Sequence, residues 1–139
     1  MASGKSHTQI SKLLNAEFND AAYSSPATLY MALWTSTLNA ASDGSTSGEA
    51  SYSGYARVAV TANITNFPTS SGGAAIQNGT AITFAPNGGS LQTVTYFAIL
   101  DNGTIGMGNI LYWGSISSTA INPGDTPQVN VAGLTASEA

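Results

Sequence analysis

Six short β-forming runs, each closed by Gly, Pro, Asn or Asp, constrain this chain more than any other feature. They are ATLYMALWTST (27–37), GYARVAVTANI (54–64), GTAITF (79–84), TVTYFAILD (93–101), NILYWGSI (109–116) and QVNVAGL (128–134). Side chains alternating with a period of two define strands. The intervening Asn78-Gly79, PNGG, Asp101-Asn102-Gly103 and INPGDTP are turn chemistry. In the first run both alternating sets are mainly apolar, Leu29, Met31 and Leu33 against Tyr30, Ala32 and Trp34. That predicts a central strand covered on both faces. The strands do not alternate with helices, which disfavours a parallel α/β sheet. The expected fold is mainly β, an antiparallel β-sandwich or jelly-roll-like barrel with one short N-terminal helix.

The helix is predicted over residues 8–20, TQISKLLNAEFND, where Ile10, Leu13, Leu14 and Phe18 follow the spacing of one helical face. Ser6 or Thr8 is positioned to cap it, and Asn19-Asp20 to end it. A helix this short is unstable alone, so its stripe is expected to dock. The domain reading is an N-terminal arm and short helix at 1–20, a β-sandwich at 21–134 and a mobile tail at 135–139. The stretch ASDGSTSGEASYSG (41–54) is a long Ser/Gly-rich loop, and SSGG (70–73) is a turn.

With 139 residues the chain has room for one core. Charged residues make up 7% of it, against roughly 25% in an average domain. Three basic and seven acidic residues leave a net charge of −4, which excludes the basic footprint of a nucleic-acid binder. Uncharged polar groups must cover the surface, and such a surface suits a chain whose exterior meets other subunits, although secreted or extracellular β-proteins share the same composition. The absence of cysteine excludes disulfides and thiolate chemistry. The N-terminus lacks a signal-peptide core and no run approaches a membrane span, so a soluble protein made in the cytoplasm is expected.

Catalytic residue types are few. His7 is the single histidine, no HExxH motif is present, and Asp101 and Asp125 fall in turns that favour Asp for local hydrogen bonds. A calcium site around Asp43 and Glu49 would lack EF-hand spacing. No catalytic, cofactor-binding or metal-binding residue is assigned. The aromatics Trp34, Tyr112 and Trp113 have three readings: core, subunit interface or sugar platform. Arg57, the only arginine, lies within a predicted strand and must be paired. Its partner is either internal, Asp101 or Glu49, or on a neighbouring subunit.

The ordered set PATLYMALWTS, GYARVAVT, NFP, NGTAITF, TVTYFAILD, GNILYWGSI and INPGDTP resembles a family of small structural proteins of tailed bacteriophages, often labelled tail fibre or virion proteins. The resemblance covers about Asn15 to Leu134; Asn122-Pro123-Gly124 replaces a more usual Asn-Ala-Gly step. It implies a non-enzymatic β-rich virion subunit without cofactors. The expected partners are the major capsid protein or tail proteins of the same virion and further copies of the chain. Neither nucleic acid nor membrane is an expected partner. Small size and the lack of a repetitive reach segment favour a capsid decoration, or cement, subunit. A tail-associated or fibre subunit and a carbohydrate-binding module are the alternatives. The expected interface residues are Arg57, Trp34, Tyr112, Trp113, Ile10 and Leu14, the last two on an arm able to reach a neighbour.

Overall fold

The computed structural model describes residues 3–69 and 75–137. In chain order the elements are β1 (Ser3–Lys5), α1 (His7–Phe18), β2 (Thr28–Trp34), β3 (Val58–Thr61), β4 (Ala75–Gln77), β5 (Ile82–Thr83), β6 (Gln92–Leu100), β7 (Ile110–Ile121), β8 (Gln128–Val129) and β9 (Thr135–Ser137). Five strands form one antiparallel sheet in the order β1-β7-β6-β2-β3. Two further ladders, β4–β9 and β5–β8, are two-stranded. The chain is a mainly antiparallel β-sandwich with one helix near its N-terminus.

The two-sided apolar pattern of β2 sets the core. Met31 and Leu33 point to one face of the sheet, where Phe97, Ile99, Val94, Ile82 and Phe84 join them. Ala32 and Trp34 point to the other, with Ala98, Leu100, Ile110 and Leu38. Register makes this consistent, because Met31 faces Ile99 and Ala32 faces Ala98 across the β2–β6 ladder. The small β5–β8 ladder supplies Ile82 to the first face.

Several boundaries differ from the sequence reading. Only Val58–Thr61 of the second run is strand, so Arg57 sits just before β3 and not inside it. β7 runs five residues past the predicted run, to Ile121, because SSTAI continues the β pattern as far as Asn122-Pro123. Between Tyr96/Ser115 and Val94/Thr119 its register with β6 shifts, a bulge on the β7 side. β1, β4 and β9 carry no strong β signal and form only as partners of other segments. Thr135–Ser137, at the start of the segment read as a tail, pair with Ala75–Gln77. The predicted turn at 70–73 lies outside the described residues.

The helix begins where capping chemistry dictates. Ser6 Oγ accepts the Gln9 amide at 3.1 Å, and Asp20 adopts a left-handed φ of 52° beyond its end. Its packing departs from expectation. Gln9 is its buried residue and Leu13 is half-buried, while Ile10, Leu14 and Phe18 are 37%, 48% and 75% exposed. Leu14 and Phe18 of the stripe stay in solvent; the helix is held at its start, by Ser6 on Leu111 and β1 on β7, and by the Gln9 side chain on the Tyr23 hydroxyl.

Candidate functional site

The lone arginine organises the loop end of the sheet. All five of its N–H donors are used. Nε and Nη2 bond the two Glu49 carboxylate oxygens at 2.7 Å each, Nη1 bonds the carbonyls of Asn102 and Met107 at 2.8 Å, and Nη2 also reaches the Gly44 carbonyl at 3.2 Å. The ion pair has side-chain exposures of 0% and 6%. Tyr55 completes the cluster. Its hydroxyl donates to Glu49 Oε1 and accepts the Leu33 amide, and burial pushes its phenol well above the usual range. Gly44 is glycine because a Cβ there would run into the Met107 carbonyl. The cluster pins loops 43–49 and 101–108 together, so Arg57 has no donor left for a neighbouring subunit. Its carboxylate is Glu49, not Asp101, which instead accepts from the Asn109 amide and side chain.

Trp34 is also interior. It is fully buried and its Nε1 donates to the Thr46 carbonyl. It offers neither an interface nor a sugar platform.

The remaining four residues expected at an interface lie together. Ile10, Tyr112 and Trp113 line a groove of about 660 Å3 between β1, the start of α1, β7 and the segment 129–136. Ile116, Val129 and Leu134 extend its apolar wall. Leu14 projects one helical turn beyond Ile10. Tyr112 and Trp113 point to opposite sheet faces, Tyr112 toward the Met31 cluster and Trp113 toward the Trp34 cluster, so the groove borders both faces at this side of the sheet. Three buried polar atoms among the described residues lack a hydrogen-bond partner: Gln9 Oε1, Trp113 Nε1 and Ser115 Oγ. All three belong to α1 or β7, and an unpaired buried polar group is costly. Two of the three, on Trp113 and Ser115, belong to residues that line the groove, and Gln9 does not.

His7 is exposed at the first helical turn, and its amide bonds the Ala40 carbonyl. Among the described residues no three His, Asp or Glu side chains cluster as metal ligands, and no helix is long and apolar enough to cross a membrane. Asp43 bonds the Ser45 hydroxyl and amide, which lowers its pKa, as a loop-forming aspartate does.

Sequence reasoning missed Ile116, Val129 and Leu134 as groove residues. The signal for Ile116 was the strand pattern continuing through SISSTAI. Val129 and Leu134 carried none, since their place depends on how the 128–137 segment folds back.

A β-sandwich hosts many functions, so the class of the protein rests on its match to known families. A model described as podophage GP4 fiber I protein gp80 matches residues 4–137. The chain belongs to this family and is a structural component of a phage virion. No curated protein sequence matches it.

Proposed function

We propose that the chain is a tail-fibre subunit, held in the virion by non-covalent contacts through the groove and the exposed face of α1. The observation that carries this is the fibre-protein family match over residues 4–137, nearly the whole chain. The α1–β7 surface is the candidate contact, because Leu14 and Phe18 are exposed there beside a groove lined by Ile10, Tyr112 and Trp113. Its partners in this reading are tail proteins of the same virion.

A capsid decoration subunit is the second reading. It is favoured by size: the longest strand, β7, has twelve residues and spans only about 40 Å, short for a fibre that must reach. Copy number and position in imaged particles separate the two. Gold-labelled antibody against this chain should decorate the tail region, with a few to tens of copies per particle by quantitative mass spectrometry. Label spread over the head at hundreds of copies would overturn the fibre placement.

A further inference from the structure

The chain carries three Asn-Gly pairs: Asn78-Gly79, Asn87-Gly88 and Asn102-Gly103. An asparagine followed by glycine is open to attack on its own side chain, because no Cβ shields the glycine nitrogen from the asparagine carboxamide. The attack needs a glycine N–H that is not already donating and a carboxamide nitrogen free to leave. The fold treats the three pairs differently on both counts.

Asn78 and Asn87 are each 1% exposed. Asn78 Nδ2 donates to the Thr80 and Asn130 carbonyls at 3.0 and 2.8 Å, and Asn87 Nδ2 to the Ser90 and Ile121 carbonyls at 2.8 and 2.9 Å. Their Oδ1 atoms accept the Leu134 and Gly89 amides. The following glycines are engaged as well: the Gly79 amide donates to the Asn66 carbonyl at 2.6 Å, and the Gly88 amide to the Ser53 carbonyl at 2.9 Å. Freeing these groups in the interior takes a local opening of the fold.

At the third pair these bonds are missing. Gly103 is exposed, and its amide donates to no group among the described residues. Asn102 is half-buried, and its Nδ2 likewise donates to none of them. Its Oδ1 accepts the Thr104 amide at 2.8 Å, which draws electrons from Cγ, the atom to be attacked. We propose that Asn102 is a site of spontaneous deamidation in the folded chain, a covalent modification from which the fold protects Asn78 and Asn87. The Gly103 nitrogen gives up its proton and bonds Asn102 Cγ; the Cγ–Nδ2 bond breaks, and the departing nitrogen takes up a proton and leaves as ammonia. Water then opens the resulting succinimide at either carbonyl, to aspartate or isoaspartate. Each product adds one negative charge to a chain of net charge −4. Isoaspartate also inserts a methylene into the backbone of the loop that Arg57 holds. Arg57 Nη1 on the Asn102 carbonyl and the Tyr30 ring against Gly103 restrain this backbone, so the folded site reacts more slowly than the same pair in the unfolded chain.

The test holds the full chain folded, with circular dichroism as the check, and samples it over weeks by mass spectrometry with fragmentation that resolves each pair. Conversion at Asn102 should outpace that at Asn78 and Asn87 by at least about tenfold. In concentrated urea the three should convert within about threefold of one another, since each precedes glycine. Asn102→Gln should remove most of the mass gain of the folded chain. A folded chain in which Asn102 converts no faster than Asn78 or Asn87 would overturn the assignment. So would an Asn102→Gln chain that gains mass as quickly as the wild type. These measurements are made on the purified chain and do not depend on its place in the virion.

Discussion

At the scale of the residue, a single buried guanidinium joins two loops at one end of the sheet. Arg57 ties Glu49 to the carbonyls of Gly44, Asn102 and Met107, residues far apart in sequence. A buried pair of this kind need not stabilise relative to an apolar replacement, but breaking it by removing one partner leaves a buried charge unpaired. Arg57→Ala should therefore lower the stability of the isolated chain by about 3–5 kcal/mol, measured by urea unfolding. An unchanged midpoint in dilute solution would show that the loops hold without it. That Arg57 must be paired was legible in its sequence, since a lone arginine among apolar neighbours cannot be buried bare. Its choice of Glu49 over Asp101 was not, because Asp101 is taken by Asn109 through a loop geometry that residue types alone do not specify.

At the scale of the element, α1 is attached by its start and its Gln9 side and leaves its apolar ridge to solvent. Ser6 is buried, caps the helix and donates its amide to the Leu111 carbonyl; the His7 amide reaches the Ala40 carbonyl. Ser6→Ala should cost about 1 kcal/mol through the lost cap. Phe18→Ser should change the stability of the monomer by no more than about 0.5 kcal/mol, because the side chain is already in water. Urea titrations at monomeric concentrations check both; a larger loss for Phe18→Ser than for Ser6→Ala would mean the ridge packs internally. The helix and its cap were legible from periodicity and the Ser at its start. Which side it buries was not. An apolar stripe states only that some surface must cover it, and the ridge and the anchored side differ by a rotation that β1 and the Ser6–Leu111 bond decide.

At the scale of the whole molecule, scarcity of charge shapes behaviour. A virion contact made through Leu14, Phe18 and the groove wall would bury apolar area and involve few ions. Its strength should therefore respond little to salt, with the dissociation constant changing less than about threefold between about 0.05 and 0.5 M sodium chloride. Sedimentation equilibrium at the two salts measures it. A steep weakening with salt would point to a charged contact elsewhere on the surface. The same composition was read from the sequence as a surface meant to be covered, and the family match makes the chain a virion component.

What the sequence by itself determined was local and statistical: antiparallel β structure, the central place of β2, one capped helix, the turns, and an exterior short of charge. Each follows from side-chain period, turn chemistry or composition, which act over a few residues at a time. Only the tertiary structure decided that Arg57 and Trp34 turn inward, that β1, β4 and β9 become strands, and that Tyr112, Trp113, Ile116 and Leu134 meet Ile10 along one groove. Those outcomes depend on contacts between segments up to a hundred or more residues apart, and no local pattern in the chain encodes which distant segment will be the neighbour.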